Sequence, residues 1–457
     1  MENSSNITSK PILQLLKKIA IPASTGSLFQ TLFNIVDTFF AGKISSDALA
    51  ALAKSFPLYF LIISAGIGII AGCNSLISNS LGQRNKFTAL IYTHHTLIYS
   101  TLLSVIITIL GIIFSYEILK LMGSSTDSII LAKKYTDIIF YGTFFFLILT
   151  SLNAVLYAQG DTKTYRNVLI VGLFANILLN PIFIFGFLFI PAFGISGLAI
   201  STILIQFFAC IYLYYKVNKT FLKIDLKLKN FLIRKNFFIN IFNQCMPITF
   251  ALFLVAIGSY VLLFFISVFG DNAVAGYGAA VRFEHIFTLP VIGLNTAVIT
   301  IAAQNFGARR YDRVRDVYTK ATLIGFCIMC ISGIIIFLLS EYIVALFTND
   351  FDVINFGSNY LRIAAFIGPI LPVFFISHAL FTALKKTHYI FYSNLFRMVI
   401  LPFLIVWVIL NIYEGYFQDI FYGLLVMNWL FGFVVLFISR ALMIKTFKEQ
   451  KKVFFVF

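Results

Sequence analysis

Charge is what this chain has least of. Of its 457 residues only 11% are charged and 60% are hydrophobic, with a mean hydropathy of +0.94, whereas a soluble domain carries roughly 25% charge. A water-soluble enzyme or binding module is excluded, and the composition is that of an integral membrane protein. Cysteine is sparse as well. The five cysteines, Cys73, Cys210, Cys245, Cys327 and Cys330, sit in or beside apolar segments, so Cys327 and Cys330 in GFCIMCISG read as packing at lipid depth rather than redox or metal chemistry. The chain has no HExxH, no GxSxG and no P-loop, which argues against a membrane-embedded enzyme. The start, MENSSNITSKPILQLLKKIAIPAS, lacks a compact apolar core followed by a small-residue cleavage site, so no removable signal peptide is expected.

Long apolar runs are abundant. Twelve of spanning length fall near 15–41, 55–80, 89–114, 132–158, 167–190, 194–215, 239–269, 279–305, 319–340, 354–384, 388–411 and 418–443. The expected fold is an all-α membrane protein of two six-helix bundles. Residues 1–215 form the N-terminal bundle, 216–238 a basic cytoplasmic linker, 239–443 the C-terminal bundle and 444–457 a cytoplasmic tail. The net charge of +16 is read as topology rather than nucleic-acid binding, because the basic residues lie in short blocks between the apolar runs. With twelve spans, 27 of the 34 Lys and Arg fall on the side of the termini and the even-numbered loops, Lys216, Lys219, Lys223, Lys227, Lys229, Arg234 and Lys235 among them, and seven on the other. Both termini are therefore expected in the cytoplasm, with the chain multi-pass in the cytoplasmic (inner) membrane.

The two halves repeat at an offset of 225 residues. Pro22 matches Pro247, Ala48-Leu49-Ala50 matches Ala273-Val274-Ala275, Gly82 and Arg84 match Gly307 and Arg309, and Tyr135 matches Tyr360. Repetition on this scale, with one hydropathy order, is the signature of a transporter of two related halves. Pro22 and Pro247 each lack an N–H and are placed to bend their helices; Gly66, Gly68 and Gly72 permit close helix packing.

One stretch breaks the apolar pattern. In Gln30-Thr31-Leu32-Phe33-Asn34-Ile35-Val36-Asp37-Thr38, the side chains of Gln30, Thr31, Asn34, Asp37 and Thr38 share a helical sector roughly 120° wide. An Asp near the middle of a span costs about 2.5 to 3.5 kcal/mol on insertion scales, so such residues face a bundle interior or a water-filled path. The repeat partner of Asp37 is Leu262 and that of Asn34 is Ser259, so the acid is not architectural. Asn176 and Asn180 stand at i,i+4 in the fifth span, and Ser201, Thr202 and Gln206 add polar groups in the sixth. Together these make a candidate polar pocket in the N-terminal half. Elsewhere, Glu284 is assigned within the eighth span, either binding a cationic substrate or pairing with Arg282. His378 in the tenth reads as a hydrogen-bonded structural histidine, and Asp137 and Arg362, at equivalent repeat positions, as side chains snorkelling to the outer interface.

FNIVDTFFAG, ALAAL, SLGQRN, YAQGDTK and ANILLNPIFIFG in the first half, and FGDNAVAGYGAAVRFEHIFTLP, QNFGARRYDRV and SNLFRMVILP in the second, in this order on twelve spans, resemble the multidrug and toxic compound extrusion (MATE) family over nearly the whole chain. The resemblance implies two six-helix bundles in a V that alternate between inward and outward opening, and export driven by inward movement of H+ or Na+. By it, Asp37 matches the family's carboxylate on the first helix and Asn176 an asparagine near it. Departures are that many members carry an aspartate where Asn180 stands, and that no acid occurs in the seventh span or the core of the tenth, so the C-terminal cation site of some members is not expected. The glycine of YAQGDTK, Gly160, has Lys385 as its repeat partner.

The expected function is a cation-coupled (H+ or Na+) antiporter exporting amphipathic, cationic organic compounds, with a flippase for a lipid-linked precursor as the alternative; the latter asks for several cationic residues lining a cavity. Cation or proton coupling is assigned to Asp37, Asn34, Asn176, Asn180 and Thr202, with sodium, if it is the ion, at Asp37, Asn176 and Asn180. Gln30, Gln206 and Glu284 are assigned to a substrate cavity or secondary role. No cofactor, catalytic residue or nucleic-acid partner is expected; the partners are a small organic substrate and the bilayer, and the protein is expected to be a monomer. The orientation is checked by labelling on a cysteine-free background: a cysteine at position 350 should react from outside intact cells and one at 223 should not, and the opposite pattern reverses the topology.

Overall fold

The computed structural model describes residues 7–121, 126–225, 227 and 232–454; Lys229 of the basic linker and the end of the C-terminal tail lie outside them. Its helices are α1 (Ile12–Ile44), α2 (Ser46–Gly82), α3 (Lys86–Leu121), α4 (Thr126–Tyr141), α5 (Thr143–Ala158), α6 (Lys163–Phe185) and α7 (Ile195–Asn218). They continue with α8 (Lys235–Ile266), α9 (Asp271–Gly307), α10 (Tyr311–Ala345), α11 (Phe351–Ile367), α12 (Leu371–Ala383), α13 (His388–Asn394), α14 (Leu401–Asn411) and α15 (Phe417–Phe454). Among the described residues there is no strand beyond one isolated bridge, Phe187 to Ile190. Among the described residues eleven helical stretches are long and apolar enough to cross a membrane, with α11–α12 and α13–α14 each counted as one, and the bent pair of α4 and α5 makes a twelfth if it is taken as one span.

That pair departs from the single run expected at 132–158. The helix breaks at Gly142 with a 47° bend, where a side chain would overlap Ile203 of α7. The tenth span is interrupted in the matching place: α11 and α12 are joined by a 3-10 turn, Gly368–Ile370, at a Gly-Pro step that removes a backbone donor.

The helices are apolar outside and polar inside. On α3, Leu102, Ile106, Ile109 and Ile113 are exposed while Thr93, Thr96, Ser100 and Ser104 are buried, the reverse of a water-soluble bundle. Without a hydrophobic drive between helices in lipid, small side chains and hydrogen bonds hold such a bundle. Ser100 on α3 meets Ser151 on α5; Tyr318 on α10 and Ser439 on α15 both reach Ser377 on α12, at 3.0 and 2.9 Å.

The repeat is visible in the backbone at four helix ends. After α2, Asn85 N–H bonds Ser80 O and Arg84 N–H bonds Leu81 O, both at 3.0 Å; after α9, Arg310 bonds Asn305 O at 2.8 Å and Arg309 bonds Phe306 O at 3.0 Å. After α5 and α12 the same two bonds recur at Asp161/Gly160 and Lys386/Lys385. These are Schellman ends, whose turning residue is left-handed. Gly160 adopts φ 79° at ease, whereas Arg84, Arg309 and Lys385 hold φ of 58°, 59° and 60° against the preference of a side-chain-bearing residue. Lys385 thus keeps the geometry of its glycine partner. At the other end of a helix, the one Asp-x-Asp of the chain, Asp350-Phe351-Asp352, caps α11: the Asp350 carboxylate accepts from the N–H of Asp352 and of Val353.

The chain divides into two compact units, but not at the expected linker. One contains Thr25–Thr249 and the other Ile7–Ser24 together with Phe250–Phe457, so the bounds 1–215 and 239–443 are corrected: α1 up to Ser24 belongs with the C-terminal helices, and α8 up to Thr249, nearly half of that helix, with the N-terminal ones. The physical cause is a pair of matched glycine seams. In the N-terminal unit a Cβ on Gly68 would lie 2.9 Å from Cys245 O, and one on Gly72 2.6 Å from Cys245 Sγ. In the C-terminal unit a Cβ on Gly293, the repeat partner of Gly68, would lie 2.5 Å from Ala20 O, the partner of Cys245. The linker joins the N-terminal unit too. His94 and His95 on α3 donate from Nδ1 to the carbonyls of Leu90 and Ile91, at 2.9 Å each, and accept at Nε2 the backbone N–H of Asp225 at 3.2 Å and of Arg234 at 2.9 Å.

The seam predicts an asymmetry between glycines. Gly72→Leu should destabilise the fold by more than about 2 kcal/mol, since the Cys245 Sγ at 2.6 Å and, behind it, the Cys245 backbone at 3.2 Å must both give way, whereas Gly278→Leu, with nothing within 4 Å, should be silent; thermal melting followed by size-exclusion chromatography in detergent distinguishes the two.

Candidate ion-coupling site

Asp37 lies on the part of α1 that belongs to the N-terminal unit and is 7% exposed. Its Oδ1 accepts two hydrogen bonds, from Asn176 Nδ2 at 2.8 Å and from Asn180 Nδ2 at 3.0 Å, both on α6. One helical turn separates the two amides, and they also contact each other, Asn180 Nδ2 lying 3.2 Å from Asn176 Oδ1. Ser201 on α7 donates to Asn180 Oδ1. Asn176, Asn180 and Ser201 are fully buried, so the cluster is a closed chain of polar groups, Ser201 to Asn180 to Asp37 with Asn176 beside it. About one helical turn from Asp37, Asn176 and Ser201, Phe33, Leu173 and Ile205 form an apolar cluster, with Phe29, Leu32, Val36 and Leu179 against them. A carboxylate held by two N–H donors in apolar surroundings is compensated without being neutralised by a cation. Asp37 Oδ2 has no hydrogen-bond partner among the described residues.

The structure sorts the other candidates. Thr202 is buried but turns its hydroxyl to Leu198 O at 3.1 Å, so Ser201, its neighbour, supplies the hydroxyl that reaches the asparagines. Asn34 is exposed and Gln30 half-buried; neither is hydrogen-bonded to Asp37. The stripe thus reaches the cluster through Asp37 alone, because α6 meets the face of α1 that Asp37 shares with Phe33. Gln206 on α7 has a buried Oε1 with no partner among the described residues. Glu284 belongs to the C-terminal unit and accepts from the Tyr360 hydroxyl; among the described residues no ion pair with Arg282 forms, so that alternative is corrected. His378 bonds Ser393 at 3.1 Å. Asp137 pairs with Lys133 at 2.8 Å and Arg362 with Glu341 at 2.6 Å, each within its own unit.

Two residues near Asp37 were not candidates from sequence. Tyr59 on α2 and Tyr135 on α4 lie within electrostatic reach of its carboxylate. A tyrosine in an apolar helix carries no signal of its own, but Tyr135 has Tyr360 as repeat partner and Tyr59 has Glu284; a phenol matched to an acid at one offset is a usable hint.

A multi-pass, all-helical membrane protein of two sequence-related halves, with a hydrogen-bonded buried carboxylate in one of them, is a membrane transporter and not an enzyme. The MatE family profile matches residues 22–182 and again 247–408, starting at Pro22 and Pro247, the same 225-residue offset, and the chain belongs to that family, the multidrug and toxic compound extrusion transporters. It is 29% identical over 360 residues, 78% of each chain, to a Bacillus subtilis (strain 168) protein described as a probable multidrug resistance protein, YoeA. It is 24% identical over 409 residues, 88% of this chain and 89% of the other, to an FAD transporter of Shewanella oneidensis. Among solved structures, a MOP superfamily transporter from Pyrococcus furiosus superposes with a TM-score of 0.91 at 22% identity, covering 98% of this chain and 99% of that one.

The cluster makes its own prediction. Asn180→Ala removes one of the two donors to Asp37 and the acceptor of Ser201, and the double variant with Asn176→Ala removes both donors; each should insert and purify normally while gradient-driven transport falls at least about tenfold. Asn180→Asp should keep activity with a shifted pH dependence. Wild-type transport in vesicles by the double variant would show that the asparagines only pack.

Proposed function

We propose that this protein is a cation-coupled antiporter that exports amphipathic, cationic organic compounds across the cytoplasmic membrane, with both termini in the cytoplasm and Asp37 as the group that carries the coupling ion. The observation that carries the reading is the pair of amide donors on Asp37 Oδ1, in a half whose repeat partner has Leu262 in that place. An antiporter needs a group whose charge differs between two access states, so that ion binding on one side is exchanged for substrate on the other. A carboxylate with one oxygen held and the other unbonded is such a group. Protonation at Oδ2 leaves both amide bonds standing. A sodium ion needs oxygen ligands, and Asn176 and Asn180 aim nitrogen at the carboxylate, so both amides would have to turn over. The reading therefore takes H+ as the coupling ion and Na+ as the alternative that the test resolves.

The relatives named for multidrug resistance support export of drug-like compounds, and the FAD transporter shows that related chains carry other solutes. The lipid-linked flippase is disfavoured by the scarcity of buried cations: among the described residues Arg397 is the only buried Lys or Arg.

The test is Asp37→Asn, which keeps shape and hydrogen bonding and abolishes titration. In sealed vesicles with an imposed pH or sodium gradient and a cationic dye, the variant should be present at wild-type yield with efflux reduced by at least about a hundredfold. Export at the wild-type rate and pH dependence would make Asp37 a packing residue and overturn the assignment.

A further inference from the structure

Among the described residues only two Asp, Glu, Lys or Arg side chains are buried, Asp37 in the N-terminal unit and Arg397 in the C-terminal one. Arg397 stands in the eleventh span, in SNLFRMVILP, and is one of the 27 Lys and Arg on the side of the termini. It is 9% exposed. Its Nε donates to Asn428 Oδ1 on α15 at 2.9 Å, and its guanidinium carbon lies 4.0 Å from the centre of the Phe374 ring on α12. Its two Nη groups, with four N–H donors between them, have no hydrogen-bond partner among the described residues.

The backbone explains how the side chain is placed. α13 ends at Asn394 and the chain passes through a π-helical turn, Leu395–Ile400, in which Leu401 N–H reaches back five residues to Phe396 O. Pro402 has no N–H to offer the Met398 carbonyl, and that carbonyl instead packs against Gly258 of α8, where a side chain would collide with it. Such widened turns rotate one side chain out of the helical register and occur at functional sites.

An acid stands near without closing the pair. Glu284 on α9 is within electrostatic reach of Arg397, but no ion pair within 4.0 Å forms between them among the described residues. Glu284 Oε2 is taken by the Tyr360 hydroxyl and Oε1 has no hydrogen-bond partner among the described residues. Tyr277 packs edge-on to Tyr360, ring centres 4.9 Å apart. A structural pair at membrane depth gains its energy by direct contact; here both charges keep unused hydrogen-bonding atoms. Nor is the arrangement architectural, since the repeat partners of Arg397, Glu284 and Asn428 are Gly172, Tyr59 and Ile203.

We propose that this is a binding site for an amphiphile bearing both charges, whose carboxylate or phosphate oxygens take the free Nη groups of Arg397 in the fork geometry guanidinium favours and whose cationic group takes Glu284 Oε1, with Phe374 and Tyr277 flanking its apolar body. It rests on the exporter reading only in identifying the ligand with the exported substrate. The same pair of charges occurs on a zwitterionic lipid headgroup, which the test separates.

The experiment is equilibrium binding to the purified full-length protein in detergent, by fluorescence anisotropy, of two dyes that differ by one methyl ester: rhodamine 110, a free acid, and rhodamine 123, its methyl ester. The wild type should bind the free acid more tightly than the ester. Arg397→Gln should weaken the acid by about tenfold or more and the ester by less than about threefold; Glu284→Gln should weaken both. If Arg397→Gln does not fold, Arg397→Lys should show the same acid-selective loss at smaller size, because a point charge replaces the fork. Equal changes for both dyes, no change for either, or no measurable binding of the free acid by the wild type overturns the proposal. Displacement of bound rhodamine 110 by dihexanoylphosphatidylethanolamine supports the site with a lipid as ligand; absence of displacement supports it with a solute. Because no gradient is involved, acid-selective binding retained in a protein that shows no gradient-driven export would defeat the antiporter reading and leave this site standing.

Discussion

A charge inside a bilayer must be compensated locally, and the way this protein meets that demand at Asp37 governs much of the N-terminal unit. Bulk water supplies no hydrogen bonds at membrane depth, so the carboxylate draws two amides from α6, and one of those amides draws a hydroxyl from α7. Three helices that otherwise meet through apolar side chains, Phe33, Leu173 and Ile205 among them, are thereby fixed in rotation about their own axes. The apolar cluster of Phe33, Leu173 and Ile205 in the next turn offers no competing donor, and in such low-dielectric surroundings each hydrogen bond is stronger. The same low dielectric that makes the acid costly makes its few polar contacts decisive.

The two halves share a frame and differ in their chemistry. Schellman ends, glycine seams and the interruptions of the fourth and tenth spans recur at the 225-residue offset, because they are demanded by helix packing that both halves must solve. The charged groups do not recur. The pair Tyr59 and Tyr135 lies near an acid from α1 in one unit, while in the other the position of Tyr59 is itself an acid, Glu284, bonded by the partner of Tyr135, Tyr360.

Much of this was legible in the chain. Hydropathy runs of spanning length, charge placed between them, and the repeat itself give an all-helical membrane protein of two related halves, because each rests on a property summed over many residues. Asp37 stood out because a carboxylate in an apolar run is improbable without a role, and Asn176 with Asn180 because i,i+4 spacing puts two amides on one face.

What the sequence could not decide were the terms that depend on rotation and on long-range contact. Ser201 and Thr202 are adjacent hydroxyls some 100° apart around α7, and only the packed position of α6 selects Ser201. Asn34 shares a stripe with Asp37 yet points away from the amides, since a 120° sector is wider than the strip one neighbouring helix can cover. The unit boundaries within α1 and α8 follow from glycines more than two hundred residues away in sequence in one case and more than one hundred and seventy in the other. Arg397 was invisible as a buried charge because a proline-induced change of helical pitch, rather than composition, turns it inward. Sequence by itself determined the class of protein, through averages over hydrophobic and charged residues; tertiary structure decided which polar atoms meet, because a hydrogen bond is made or lost within a few tenths of an ångström.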